Sequence, residues 1–280
     1  MSAGFARRFV AGETLEETAA AVRALNERGI TATVDYLGEN VTSRQEAAES
    51  AACYCRILDF LDAQRLDSNV SLKLTQLGLD LSDDLACENL RTILERAEQY
   101  GNFVRIDMEG SRYTQRTLDL FYRLWPDHKN VGVVIQAYLY RSAADVERLI
   151  ADSVRVRLCK GAYSEPREVA FQSKRDVDQN FVRLARELLS RGRWPALATH
   201  DERMIQAAIA HARAEAIDAS RFEFQMLYGI RRERQQGLVR EGWRMRVYVP
   251  FGTQWYAYMM RRLAERPANL WFVLKNLLRR

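Results

Sequence analysis

Five charged or amide side chains stand inside, or at the end of, sequence runs that are otherwise apolar and β-branched. They are Lys73, Asp107, Gln136, Arg157 and Gln225. A polar group in such a run costs free energy unless it is paired or bound to a ligand. Five placements on five different runs therefore indicate a site built from several strands. A structural ion-pair cluster that only plugs the top of a barrel is the alternative.

Two cations with small neighbours indicate what this site binds. Arg157 and Lys160 lie three residues apart, and Gly161-Ala162 follows directly. Cations beside small residues favour the close approach of an anionic or electron-accepting group, and a reduced flavin carries negative charge near its N1 atom. A Schiff-base enzyme with Lys73 or Lys160 as its nucleophile is one competing hypothesis. A non-catalytic binding or scaffold protein is another.

Several common chemistries lack their motifs in this sequence. The three histidines, His128, His200 and His211, form neither an HxH nor an HExxH pair, so we predict no metal site. No GxSxG nucleophile elbow occurs, and neither does a GxGxxG or P-loop motif for phosphate binding. The chemistry therefore depends on lysine, arginine, carboxylate and amide groups.

A second group of cations lies near the C-terminus. Tyr258, the adjacent Arg261 and Arg262, and Glu265 share a helical stretch. Adjacent arginines are often only a solvated helix surface, but guanidinium pairs also bind carboxylates in bidentate geometry. Because this pair follows the last apolar run, it would lie over the mouth of a barrel.

The elements that must position these residues alternate along the chain. Eight apolar runs are predicted as buried strands, at 31–37, 70–74, 103–108, 131–138, 154–159, 196–199, 222–226 and 245–249. Helical spacing of apolar residues predicts helices over 14–27, 43–66, 85–100, 177–189 and 202–214. The first two begin with the capping boxes Thr14 to Glu17 and Ser43 to Glu46.

Eight strand–helix units in a chain of 280 residues favour a closed (β/α)8 barrel over an open doubly wound sheet. We predict a single α/β barrel domain over residues 1–280, with a short helical lead-in over about residues 1–30. In such barrels the catalytic groups lie at the C-terminal ends of the strands. The polar side chains described above fall at those ends.

The composition limits the partners and the compartment. The formal net charge is +5, but the 42 basic residues are interleaved with 37 acidic ones, so we predict no nucleic-acid partner. The four cysteines are expected to be reduced, mostly buried thiols. No apolar run approaches the roughly 18 residues of a membrane span, and the first residues show no signal peptide. We expect a cytoplasmic protein and leave peripheral contact with the inner membrane open.

The motifs, taken in order, resemble those of the proline dehydrogenase family, including the corresponding domain of bifunctional bacterial enzymes. The matching stretches are SLKL (71–74), IDME (106–109), VRLCKGAY (156–163), ATHD (198–201), FEFQMLYG (222–229), YVPFG (248–252) and YMMRR (258–262). They cover nearly the whole chain in family order, and RLxKGAY together with YxxRR is highly specific.

This resemblance implies a distorted (β/α)8 barrel that binds FAD and oxidises L-proline to Δ1-pyrroline-5-carboxylate. A hydride passes from C5 of proline to flavin N5, and a membrane quinone takes the electrons. A pyrroline-5-carboxylate dehydrogenase is an implied partner for the next step.

The resemblance also implies roles for individual residues. The substrate contacts, cations for the carboxylate and apolar or tyrosine side chains for the ring, are Lys73, Leu227, Tyr248, Tyr258, Arg261 and Arg262. Asp107 and Arg157 are the implied catalytic residues, with Asp107 near the reacting centre and Arg157 near flavin N5. Glu39 is the implied gate residue, which pairs with the first arginine of YxxRR when the site closes.

The implied cofactor contacts are Met108, Gln136, Arg157, Lys160, Gly161, Ala162, Thr199, His200, Gln225, Met226 and Glu265. The amide of Gln136 bonds the isoalloxazine, and the KGA stretch lies on the ring and pyrophosphate side. The threonine and histidine of ATHD bind the ribityl phosphate or adenosine portion. The glutamine and methionine of FEFQM lie near the adenine, and Glu265 lies near the adenosine end.

Overall fold

Strands and helices alternate along the chain as the hydrophobic pattern predicts. The computed structural model describes residues 9–255, in which eight parallel strands close into a barrel in chain order, with the last strand paired to the first. The strands are β1 (Thr31–Tyr36), β2 (Ser68–Leu72), β3 (Val104–Ile106), β4 (Val131–Gln136), β5 (Val156–Cys159), β6 (Ala196–Ala198), β7 (Glu223–Leu227) and β8 (Met245–Phe251). The predicted (β/α)8 barrel is confirmed.

One α-helix precedes the barrel, and within the described residues one α-helix follows each strand from β1 to β7. They are α1 (Leu15–Asn26), α2 (Arg44–Ala63), α3 (Asp83–Gln99), α4 (Ser111–Leu124), α5 (Ser142–Ala151), α6 (Lys174–Arg191), α7 (Glu202–Ala214) and α8 (Arg232–Arg240). Both predicted capping boxes are confirmed. The Thr14 hydroxyl accepts from the Glu17 amide at 3.3 Å, and the Ser43 hydroxyl accepts from the Glu46 amide at 3.2 Å.

The strand predicted at 70–74 has different bounds, and the difference affects the position of Lys73. The strand runs from Ser68 to Leu72, because a short 3-10 helix, Leu74–Leu77, begins two residues later. Lys73 keeps an extended backbone between the two. The lysine therefore stands just beyond the strand, at the mouth of the barrel.

The apolar core fills the space between the barrel wall and the surrounding helices. Large side chains such as Tyr54, Phe121 and Phe181 are fully buried there. Inside the barrel, by contrast, polar side chains form two layers. The lower layer holds Thr33, Asn69, Arg105, Glu223 and Arg246, and the upper layer holds Asp35, Ser71, Asp107, Arg157, Gln225 and Tyr248. The upper layer faces the C-terminal ends of the strands.

All four cysteines are thiols outside any disulfide, as predicted, but only Cys87 is buried, and Cys53, Cys55 and Cys159 are partly exposed. The expectation of mostly buried thiols was therefore wrong. Each of these three side chains is near a strand end or on a helix face that solvent reaches. Across residues 9–255, no helix is both long enough and apolar enough to cross a membrane.

Candidate active site

Asp107 and Arg157 form the centre of the upper layer. Their side chains approach at 2.7 Å between Oδ1 and Nη1, and the Ser71 hydroxyl donates to the same carboxylate oxygen at 2.7 Å. The Tyr248 hydroxyl donates to the other oxygen, Oδ2, at 2.7 Å. Burial alone would raise the pKa of Asp107, but the charges of Arg157 and Lys73 outweigh it and lower that pKa. Asp107 is therefore an ionised carboxylate fixed by three neighbours.

Lys73 lies beside this centre and pairs with Asp35, 3.4 Å from Nζ to Oδ1. Burial would lower the pKa of Lys73, but the carboxylates of Asp35 and Asp107 outweigh it and raise that pKa. A lysine held protonated in this way is a fixed positive charge, and it is a poor Schiff-base nucleophile. The structure therefore argues against the aldolase-type hypothesis for Lys73.

Three polar atoms at the mouth of the barrel are buried without a hydrogen-bond partner among residues 9–255: Oδ2 of Asp35, Nη2 of Arg157 and Oε1 of Gln136. The last two, a donor and an acceptor, lie on the neighbouring strands β5 and β4. Unpaired buried polar atoms cost roughly 1–3 kcal/mol each. A flat heterocycle with both acceptor and donor atoms, such as the isoalloxazine of a flavin, has the groups that would satisfy them.

Lys160 follows β5 and binds two carboxylates rather than standing free. Its Nζ contacts Asp178 Oδ1, and it lies 2.9 Å from Asp201 Oδ2. Lys174 and Arg203 also reach these carboxylates, with closest distances of 2.5 Å and 2.9 Å to Asp178. These ion pairs join the end of β5 to the first turns of α6 and α7. They argue against Lys160 as a Schiff-base nucleophile.

Gly161, next to Lys160, is required by its surroundings. Its φ of +103° lies in the region that favours glycine, and an added Cβ would come within 2.4 Å of the Tyr138 ring. Ala162 is partly exposed beside it. The small residues of the KGA stretch therefore allow the loop to pack closely on Tyr138.

The ATHD stretch lies at the end of β6. The Thr199 hydroxyl accepts from the Asp201 amide at 3.1 Å. His200 Nε2 accepts from the Leu227 amide at 2.9 Å, which ties the histidine ring to the end of β7. Leu227 itself is partly exposed at the mouth. These residues are thus gathered on the side of the mouth formed by β6 and β7.

Met108 and Met226 have buried side chains that pack in the apolar core. The main-chain carbonyl of Met108 accepts from Gln136 Nε2 at 3.4 Å. Gln225 points into the barrel, where it binds Arg157, Nε to Oε1 at 2.6 Å. Glu39 is partly exposed on the segment after β1. Burial raises the pKa of Glu109, and the charge of Glu39 adds a smaller effect in the same direction. Tyr258, Arg261, Arg262 and Glu265 lie outside the described residues.

The lower layer contains three charged residues that the sequence reasoning missed. Arg246 Nε contacts both carboxylate oxygens of Glu223, at 2.9 Å and 3.1 Å. Arg105 donates to the main-chain carbonyl of Val133 at 3.2 Å. This layer is a cluster of ion pairs and hydrogen bonds that fills the barrel interior below the mouth.

The spacing of residues along the strands could have identified these three residues from the sequence. Side chains two positions apart on a strand face the same side. Arg105, Glu223 and Arg246 each precede, by two residues, a residue that was already placed in the mouth. Extending each strand backwards by one inward position would have found all three.

In residues 9–255 no cluster of three or more His, Cys, Asp or Glu side chains could hold a metal ion.

A family model and individual relatives of this chain agree on the family to which it is similar. The family model described as "Proline dehydrogenase" matches residues 18–275. Proline dehydrogenase 1 of Bacillus subtilis strain 168 is 47% identical over 275 residues, covering 98% of this chain and 91% of the relative. Proline dehydrogenase of Deinococcus radiodurans is 42% identical over 281 residues, covering 98% of this chain and 90% of the relative.

A solved structure is also similar over most of the chain. It is proline utilization A (PutA) from Bdellovibrio bacteriovorus, inactivated by N-propargylglycine, with 30% sequence identity and a TM-score of 0.87. The match covers 93% of this chain and 32% of that chain. This chain thus corresponds to about a third of the larger protein.

Proposed function

This chain belongs to the proline dehydrogenase family and is an oxidoreductase that oxidises proline, the first step of proline catabolism; on that premise we propose that FAD binds in the mouth of its barrel. When bound, FAD would accept a hydride from C5 of proline and pass the electrons to a quinone, leaving Δ1-pyrroline-5-carboxylate as the product. The observation that carries the proposal is the unpaired Nη2 of Arg157 beside the unpaired Oε1 of Gln136.

The flavin side of the site would be formed by β4, β5 and β6. Arg157 and Gln136 would satisfy their unpaired atoms on the isoalloxazine. Lys160, Gly161 and Ala162 would lie along the ring and the pyrophosphate, with Thr199 and His200 further along the cofactor. For Gln225 the contacts with Arg157 and Glu223 favour a position below the ring over a contact with adenine.

The substrate side would be formed by the cation of Lys73 and the hydroxyl of Tyr248, with Leu227 against the ring. Arg261 and Arg262 would grip the carboxylate and Tyr258 would cover the ring. Hydride loss from C5 needs a neutral amine, because the nitrogen lone pair supports the developing iminium. Lys73 is held protonated, so its charge both binds the carboxylate and disfavours a protonated amine nearby.

The proposal also covers how the mouth of the barrel closes and which partners accept the electrons and the product. Glu39 would pair with Arg261 to close the mouth and exclude water. A membrane quinone would reoxidise the flavin, which places the working enzyme in the cytoplasm, at the inner surface of the membrane when it meets its acceptor. A pyrroline-5-carboxylate dehydrogenase would receive the product.

The test is the visible spectrum of the purified protein. We expect a yellow protein that bleaches when L-proline is added without oxygen. Arg157→Lys should slow the bleaching about a hundredfold, because it removes a preorganised donor from the flavin. Arg148→Lys is the matched control, because the Arg148 guanidinium stacks on Tyr122 on the outer surface, away from the site. It should bleach at the original rate.

Two results would contradict the proposal. A colourless protein that takes up no added FAD would support a non-catalytic barrel. Borohydride trapping of a carbonyl substrate on Lys73 or Lys160 would support the Schiff-base enzyme.

A further inference from the structure

We propose that Glu223 is a positioning residue for the reaction, because it fixes the amide of Gln225 and thereby the guanidinium of Arg157. The inference rests on the proposed function, in which Arg157 faces the flavin. Glu223 lies one layer below the mouth and contacts neither substrate nor cofactor in this arrangement. Its effect on the reaction therefore passes through Gln225.

The three side chains form an unbroken line of hydrogen bonds through the barrel. Arg157 Nε donates to Gln225 Oε1 at 2.6 Å, and Gln225 Nε2 donates to Glu223 Oε1 at 2.5 Å. Arg246 anchors the far end through both Glu223 oxygens, at 2.9 Å and 3.1 Å. Glu223 and Gln225 are each 4% exposed and Arg157 is 5% exposed, so water cannot easily replace these bonds.

The chemistry of the two ends allows only one orientation of the Gln225 amide. A guanidinium only donates, and an ionised carboxylate only accepts. Burial would raise the pKa of Glu223, but Arg246 outweighs it and lowers that pKa, so the carboxylate is charged. A flipped amide would face donor with donor and acceptor with acceptor, losing both bonds. Glu223 and Arg157 together therefore lock the amide.

The Gln225 amide binds one edge of the Arg157 guanidinium, and Asp107 and Ser71 bind another edge. Nε is bound by Gln225, and Nη1 is bound by Asp107 at 2.7 Å and by Ser71 at 3.2 Å. A planar group held at two edges has a fixed plane. Nη2, which has no partner within residues 9–255, then points in one direction. A fixed donor costs no reorganisation when charge develops on the flavin.

A purely structural role for Glu223 is the competing explanation. Glu223 also balances the charge of Arg246 and lies near Arg105. If that were its whole role, its removal would change stability without changing how Arg157 is held. The two explanations therefore differ in their effect on Arg157.

A double-mutant cycle with Glu223→Gln and Gln225→Met separates them in the holoenzyme. The first readout is the solvent exchange of the Arg157 Nε–H proton, seen by NMR of protein labelled at arginine and assigned by its loss in Arg157→Lys. The second is the rate of flavin reduction at saturating proline. We expect each single variant to speed exchange and slow reduction about tenfold. The double variant should be no worse than Gln225→Met alone, because the two residues act in series.

The exchanged pair, Glu223→Gln with Gln225→Glu, is the rescue variant. The new glutamate accepts from Arg157 and from the new glutamine, whose own carbonyl accepts from Arg246. The bonds from Arg157 to residue 225 and between residues 225 and 223 are restored, and one of the two Arg246 contacts is kept, with the same total charge. We expect Arg157 proton exchange to return to within about threefold of the original value, well clear of the tenfold change in Glu223→Gln alone.

Additive effects in the cycle, or unchanged Arg157 exchange in Glu223→Gln accompanied only by lower stability in urea, would overturn the inference. A failure of the proposed function can be distinguished from a failure of this inference, because the two are measured differently. The Arg157 exchange measurement does not require flavin, whereas a protein that never binds FAD or never bleaches with proline contradicts the proposed function itself.

Discussion

Burial alone would drive both Asp107 and Lys73 towards their neutral forms, and their neighbours reverse this. Arg157 keeps the pKa of Asp107 low, and Asp35 with Asp107 keeps the pKa of Lys73 high. The mouth therefore presents charges that are fixed before any ligand arrives. Such preorganised charges act on developing charge without the cost of turning solvent dipoles.

Gly161 is a residue whose replacement should be costly for two separable reasons. Its φ is +103°, and a Cβ would come 2.4 Å from the Tyr138 ring. We expect Gly161→Ala to lower the free energy of unfolding by about 2–4 kcal/mol, from backbone strain and overpacking together. Urea denaturation of the protein measures this cost.

Gly101→Ala is the matched control for that measurement. Gly101 also has a positive φ, +60°, but an added Cβ meets no described atom within 4 Å. We expect a cost of about 1 kcal/mol from the backbone alone. Equal costs at the two glycines would mean that the contact with Tyr138 contributes nothing.

At the scale of the elements, regular periodicity is what made the strands and helices predictable. The run 202–214 matches α7 (Glu202–Ala214) fully, and both capping boxes form. The end of β2 was misplaced because the 3-10 helix that follows contains apolar residues, Leu74 and Leu77, which continue the hydrophobic run. Apolar character alone does not separate a strand from the turn after it.

The ion-pair cluster at the start of α6 and α7 makes stability depend on pH. Burial would raise the pKa values of Asp178 and Asp201, but the bonds from Lys160 and its neighbours outweigh it and lower both. A lowered folded pKa means that the unfolded chain binds more protons in acid. The contribution is therefore complete above the ordinary aspartate pKa, near 4, and is lost as pH falls through the lowered folded values.

Asp201→Asn tests this contribution with little other disturbance. Asp201 also caps α7 by accepting from the Arg203 amide at 3.1 Å, and asparagine keeps that role. We expect the variant to be less stable at pH 6 and to lose stability less steeply below pH 4, by urea denaturation across pH. Asp84→Asn, which removes an exposed pair with Arg123, is the control and should follow the original protein. Parallel curves for Asp201→Asn and the original protein would contradict the assignment.

At the scale of the whole molecule, the sequence predicted the barrel but only part of its site. Eight alternating units imply closure, and β1 pairs with β8 over six residues from Thr31 to Tyr36. The polar residues of the upper layer stood out because they interrupt apolar runs. The lower layer was missed because its residues lie nearer the starts of the strands, where polar loop residues are ordinary. The flavin and proline came from family motifs, since a barrel supports many chemistries.

Cofactor binding should stabilise the barrel as one unit, because the proposed site draws on several strands. Arg157 on β5, Gln136 on β4 and Thr199 after β6 would all contact FAD. A ligand that binds only the folded state, at a hundred times its Kd, adds about 2.7 kcal/mol to the free energy of unfolding. For a domain of this size that corresponds to a rise in Tm of roughly 5–10 °C.

Thermal unfolding of flavin-free protein against increasing FAD measures this linkage. Tm should keep rising with FAD after the site is saturated, since the linkage is logarithmic in free ligand. Riboflavin, which has the ring but neither phosphate nor adenosine, should raise Tm less at equal concentration. Lys160→Ala should shift the FAD curve to higher concentration if the KGA stretch lies along the pyrophosphate. A Tm that FAD leaves unchanged in the original protein would mean that FAD does not bind the folded barrel, which contradicts the proposal.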